Sequence, residues 1–141
     1  MTGKENPIVQ TIDNRKLVLD FVASWEDGFD ATVAAMRATL AADCVWHNSG
    51  LPAVQGIDAC VALLDQARQG AGLESIETTI VAVVADGSTV AVERIDYLRR
   101  ADRSLIGTLP ALGIFVIEGG KISGWRDYFD PAPLLNAMSA S

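Results

Sequence analysis

The sequence predicts an α+β fold: helices packed on one face of a curved antiparallel sheet, which curls around a pocket. Two observations carry this. Apolar residues recur at helical spacing in three stretches before residue 70, and beyond about residue 74 the period changes to the two-residue alternation of strands. Turn signals then recur between the alternating runs, at Asp86-Gly87, Ala101 to Arg103 and Gly119-Gly120. Helices followed by a strand meander indicate layers of helix on sheet, and a curled sheet of this kind commonly encloses a pocket.

The first helix is expected from about Thr11 to Asp27, "TIDNRKLVLDFVASWED", where Leu17, Val18, Phe21, Val22 and Trp25 form one apolar face and Gly28 breaks the run. Asp30 is the expected N-cap of a second helix, "DATVAAMRATLAA", with Val33, Met36 and Leu40 on its apolar side. "DCVWHNS" then turns into a short strand and "SGLPAVQG" into a loop. A third helix, "IDACVALLDQARQ", ends near Gly70. Strands are expected near 74 to 85, 88 to 100, 105 to 118 and 121 to 129. The chain end, "PLLNAMSAS", either covers the cavity mouth or packs at a dimer interface.

At 141 residues the chain is expected to form a single domain, 1–141, with half its residues apolar and no linker-like tract or internal repeat. A net charge of −7, with no basic run longer than Arg99-Arg100, argues against nucleic acid and anionic membranes as partners. No apolar stretch approaches the roughly 20 residues of a bilayer span. The start, "MTGKENPIVQ", lacks the apolar core of a secretory leader, so a cytoplasmic setting is expected. Cys44 and Cys60 stand outside any CxxC or Cys/His cluster and read as small buried hydrophobes. With one histidine and no HExxH, a dedicated zinc site is not expected.

The chemistry begins in "GWRDYFD", residues 124 to 130, where Trp125, Asp127 and Phe129 share one face of a strand. A carboxylate buried between two aromatic neighbours needs a partner. In "TVAVERIDYLRR", Arg94 and Asp96 point the same way, flanked by Val92 and Leu98 on that face. Two residues along a strand separate Cα atoms by about 6.5 to 7 Å, and a guanidinium closes such a gap to a carboxylate. Arg94 is therefore a candidate to lie between Asp96 and Asp127 and bind both. Charges at alternate strand positions also form solvated faces. The apolar company of these three favours a buried site, whereas Glu93 alternates with Ile95 and Tyr97 without a matching constellation.

One arginine cannot neutralise two carboxylates, so a shared pocket favours a proton on one of them and splits the pair into a base and an acid. In "CVWHNS", Trp46 and Asn48 face one way and His47 the other. Asn48 both donates and accepts, which suits it to hold a water or a substrate oxygen, though the same residue also reads as a strand-end turn before Ser49-Gly50. His47 reads as a surface or packing residue.

Three segments together resemble the limonene-1,2-epoxide hydrolase family: the R-x-D of "VERIDYLRR", the aromatic-x-Asn of "WHNSGLPAVQG" and, most specifically, "LGIFVIEGGKISGWRDYFD". The resemblance implies a cone-shaped fold of the nuclear-transport-factor or SnoaL-like type, a homodimer, no metal or cofactor, and one-step attack of water on an epoxide. Carried over residue by residue, it implies Asp127 as the base that deprotonates water, Asp96 as the acid that protonates the epoxide oxygen, Arg94 as the bridge between them and Asn48 as a holder of the water. Strand parity and the resemblance together imply that Leu98, Leu109, Phe129 and Leu134 line a pocket for a small apolar, terpene- or sterol-like epoxide. One position departs from the family pattern, which has tyrosine where this chain has Trp46; an indole has an N–H donor but no acceptor oxygen. Two other readings stay open: a proton-transfer isomerase, dehydratase or polyketide cyclase on the same fold, and a non-catalytic ligand-binding or dimerisation module.

Overall fold

The computed structural model describes residues 6–139. The first half of "MTGKENPIVQ", on which the expectation of a leaderless start rests, and the last two residues of the chain end lie outside them.

Helix α1, Pro7–Ser24, begins earlier than the apolar periodicity suggests because its start is set by capping. The Asn6 side chain accepts from the Ile8 N–H at 2.8 Å and Pro7 opens the helix, its missing N–H costing nothing there. A single 3-10 turn, Trp25–Asp27, carries the apolar stripe one step further and ends at Gly28, whose φ of +113° favours glycine. Helix α2 is Phe29–Thr39. Asp30 is not its N-cap: Gly28 holds that position, its carbonyl accepting from both the N–H and the hydroxyl of Thr32 at 3.0 and 2.7 Å, and Asp30 lies in the first turn near the positive end of the helix dipole. The helix also ends before Leu40, which is extended at φ −77°, ψ 142° and opens strand β1, Leu40–Asn48. Leu40 is buried as expected, but as a strand residue partnered with Ile122; pairing overrides the helix propensity of "ATLAA".

A two-residue strand, β2, Val54–Gln55, stands where a loop was expected and pairs antiparallel with β1. Helix α3, Ile57–Ala71, runs through Gly70 and stops at Gly72, the residue that adopts the left-handed conformation and returns its N–H to Ala67 and Arg68. The meander follows the expected segments closely: β3 Ser75–Asp86, β4 Thr89–Arg99, β5 Leu105–Glu118 and β6 Lys121–Phe129. A last helix, α4, Ala132–Ser139, packs against α3 and β5.

The six strands form one sheet in the order β2-β1-β6-β5-β4-β3. Every pair is antiparallel except β1–β6, which is parallel because α2 hands the chain to β1 at the far edge of the meander. Register shifts in β3, between Ile80 and Ala82, and in the neighbouring pairs bend the sheet. Its inner face, including Val90, Val92, Phe115, Ile122 and Trp125, packs against Val18, Phe21 and Val22 of α1 and Met36 of α2. Cys44 and Cys60 are fully buried free thiols. Among the described residues, no helix is long and apolar enough to cross a membrane.

Candidate functional site

Alternation along β4 turns Val90, Val92, Arg94, Asp96 and Leu98 to the inner face, and all five are buried. On β6 the same alternation turns Trp125 and Asp127 inward. Arg94 lies across β5 and joins the two carboxylates. Its Nη1 and Nη2 donate to Oδ1 and Oδ2 of Asp127 at 3.1 and 2.8 Å, and its Nε donates to Oδ1 and Oδ2 of Asp96 at 2.9 and 3.1 Å. Relative exposures of 2% for Arg94 and 5% for each aspartate exclude a solvated face.

Burial and pairing oppose one another here, and their balance sets the proton. Burial alone would discharge Arg94, but Asp127 and Asp96 together hold its guanidinium above its ordinary value, so it stays charged. Asp96 goes the other way: burial pushes its carboxyl up, helped by the negative charge of Asp127, and the pulls of Arg94 and Thr78 do not bring it back. The trio thus favours the protonated form of Asp96 more than water does.

Several supporting residues escape a reading by strand parity alone. Thr78 on β3 is the register partner of Asp96 and donates to its Oδ1 at 3.3 Å. Trp25, read from the sequence as a core residue, also places its ring centroid 5.0 Å from Cζ of Arg94, a cation–π contact. Ser49 clips the backbone beside the base: its N–H and hydroxyl donate to the Asp127 carbonyl at 3.0 and 3.3 Å, and its Oγ accepts from the Phe129 N–H at 3.1 Å. The signals for Thr78 and Ser49 are cross-strand register and turn geometry, neither of which is local in sequence.

Asn48, at the end of β1, is buried and is the Cα partner of Asp127 across the parallel pair. Two residues earlier Trp46 partners Trp125, and their rings stack with centroids 4.2 Å apart and planes at 11°. Trp125 stacks in turn on Trp25 at 5.6 Å. The Nε1–H of Trp46 is buried with no acceptor among the described residues. His47 points to the opposite, exposed face.

A cavity of about 540 Å³ opens against this wall. Arg94, Asp96, Asp127, Asn48 and Trp46 line it together with Leu98, Leu109, Phe129 and Leu134, so all the residues singled out from the sequence reach one space. Leu135 and Met138 of α4 line it too, which puts the chain end over the cavity. Thr32 of α2 and Gln66 of α3 also reach it, and the remaining lining is largely apolar, the usual form of a small-molecule site. Among the described residues no group of three or more His, Cys, Asp or Glu side chains is arranged to hold a metal ion.

The model of the limonene-1,2-epoxide hydrolase catalytic domain matches residues 12–140. This chain belongs to the limonene-1,2-epoxide hydrolase family. It is 35% identical over 97 residues to the epoxide hydrolase EphG of Mycobacterium tuberculosis (strain ATCC 25618 / H37Rv), a match covering 66% of this chain and 59% of that relative's length. An M. tuberculosis LEH-like epoxide hydrolase structure superposes with a TM-score of 0.70 at 26% identity, over 92% of each chain. A SnoaL-like protein from Jannaschia sp. CCS1 superposes at 0.75 with 19% identity, over 99% of each chain. An NTF2-like protein from Cytophaga hutchinsonii ATCC 33406 superposes at 0.63 with 18% identity, over 96% of this chain and 99% of that one. These last two share the cone fold.

Proposed function

We propose that this chain is a cofactor-independent epoxide hydrolase that opens a small apolar, terpene- or sterol-like epoxide to a diol in one step. The observation that carries the reading is the buried Asp96–Arg94–Asp127 array on the wall of a cavity large enough for such a molecule.

In this mechanism Asp127 is the base. Arg94 grips both its oxygens and Ser49 holds its backbone, so the carboxylate is fixed toward the space beside Asn48, where the attacking water sits. The water oxygen bonds to an epoxide carbon as the C–O bond of the ring breaks, Asp127 takes the water proton, and the proton carried by Asp96 goes to the leaving oxygen. Epoxide plus water gives diol, and returning a proton from Asp127 to Asp96 restores the resting site. Each proton transfer is worth about 10²- to 10⁴-fold, and release of ring strain supplies the remaining drive. Arg94 keeps the two acids electrostatically linked.

The test is incubation with apolar epoxides in ¹⁸O-labelled water. Hydrolysis places one label in the diol, and Asp127→Asn abolishes the label while binding of the epoxide persists. A proton-transfer reaction on the same fold would leave the epoxide unlabelled and intact, and an Asp127→Asn variant as fast as the parent would overturn the role of the base.

The reading includes a homodimer in a reducing, cytoplasmic setting. The outer face of the sheet supports the first: Leu112, 41% exposed, and Tyr128, 50% exposed, are register neighbours there, an apolar surface for a second copy to cover. Light scattering on the parent and on Leu112→Glu tests it, with a dimer expected for the first and a monomer for the second.

A further inference from the structure

The geometry points to Gly113 on β5 as a positioning residue: the missing side chain there is what lets Arg94 reach Asp127. This rests on the site proposed above and concerns how that site is assembled.

Arg94 and Asp127 belong to strands separated by a third, a gap of two strand spacings or about 10 Å. Their side chains must meet above β5. The register puts Arg94 opposite Ala111 and Asp127 opposite Gly113, so the guanidinium crosses β5 on a diagonal between these two positions. The inner face of β5 reads Leu109, Ala111, Gly113, Phe115, Ile117: large residues at both ends and the two smallest where the arginine passes.

A Cβ placed on Gly113 would lie 2.5 Å from Nη1 of Arg94, 2.8 Å from Oδ1 of Asp127 and 2.9 Å from Cε1 of Phe115. The first two are the atoms of one of the paired hydrogen bonds, so the methyl group would sit against that bond itself. A shift that admits the methyl group works against existing contacts, since Arg94 is tied at its other end by Asp96 and lies against the ring of Trp25, and Phe115 is fully buried. The requirement is steric: Gly113 is not among the glycines with positive φ. Any other residue here displaces the guanidinium from the base and breaks the two-pronged grip while leaving every member of the array present.

The experiment compares Gly113→Ala with Gly124→Ala, a control glycine on β6 whose added Cβ would rest 3.5 Å from Cβ of Val116, an ordinary contact. The control keeps kcat within about threefold. Gly113→Ala lowers kcat about 100-fold with KM little changed, because the reacting groups are misplaced while the apolar lining is untouched. A double-mutant cycle with Arg94→Lys, which lacks Nη1, is read on the thermal midpoint as well: Gly113→Ala costs several degrees in the parent and clearly less in the Arg94→Lys background. If Gly113→Ala does not fold, the double variant folds. Equal costs in the two backgrounds, a double variant as unfolded as the single, or a Gly113→Ala enzyme as fast as the control would each overturn the inference. The thermal cycle needs no turnover, so a parent that hydrolyses no epoxide would count against the proposed activity and leave this assignment to be decided by the midpoints.

Discussion

Thr78 on β3 donates a hydrogen bond to Oδ1 of Asp96 on β4, the carboxyl that burial pushes above its ordinary range. The groups facing Asp96 therefore divide cleanly: burial and Asp127 favour its protonated form, Arg94 and Thr78 its charged form. In the proposed reaction Asp96 must begin protonated, so kcat falls as pH rises through its raised pKa. Thr78→Val removes a contact that lowers that pKa, and the alkaline limb of the kcat profile is expected to move to higher pH. The carboxylate formed during turnover also loses a donor, slowing the plateau by about fivefold. Profiles for the two proteins check both effects; a limb that stays in place would mean that Asp96 is not the acid.

The same raised carboxyl makes stability depend on pH. A carboxyl whose folded pKa lies above its ordinary value of 3.8 binds its proton more tightly folded than unfolded, so its contribution is fully present below about that value. It is lost as pH rises through the folded value. Asp96→Asn carries no such proton. The expected result is a thermal midpoint that declines less steeply in this variant than in the parent as pH rises from the acid side, measured by calorimetry across the range where the parent stays folded.

Much of this was readable from the residues, for a physical reason that also marks where reading stops. Strand parity is local, so alternation together with apolar neighbours could turn Arg94, Asp96 and Asp127 inward, and β3 to β6 could be bounded by their turn signals. Register is not local. Nothing within "SIETTIVAVVAD" says that Thr78 will stand opposite Asp96, and nothing within "LPALGIFVIE" says that Gly113 will lie under a guanidinium from the next strand. The helix ends went astray likewise: Asp30 is a good capping residue two positions too late, and Leu40 is equally apolar on a helix or a strand. The parallel join of β1 to β6 is decided by which edge of the finished meander is free.

Removing the cation leaves two acids buried without neutralisation. Arg94→Leu fits the apolar surroundings but strands Asp96 and Asp127, and the cost at neutral pH is expected to be about 3–5 kcal/mol. Lowering the pH lets both carboxyls take up protons, so part of the deficit is recovered in acid. Urea unfolding of parent and variant at neutral and mildly acidic pH checks this, the gap between them narrowing in acid. A gap independent of pH would mean that Arg94 acts through packing alone.

Trp46 poses the sharpest question about chemistry, because its indole stands where the family pattern has a phenol. Its ring stacks on Trp125, while its N–H is buried without an acceptor among the described residues. An unpaired buried donor costs about 1–3 kcal/mol, and trimming an indole to a phenyl ring opens a cavity of similar cost. The two nearly cancel, so Trp46→Phe is expected to hold stability within about 1 kcal/mol of the parent. It is also expected to keep kcat within about threefold, since in the proposed mechanism Asn48 and Asp127, not the indole, hold the water. Trp46→Ala removes the stacking surface as well and is expected to cost about 3–5 kcal/mol. Denaturant unfolding and steady-state hydrolysis of the three proteins decide the matter: a Trp46→Phe enzyme slowed tenfold or more would show that the indole N–H acts on the water or the epoxide during turnover.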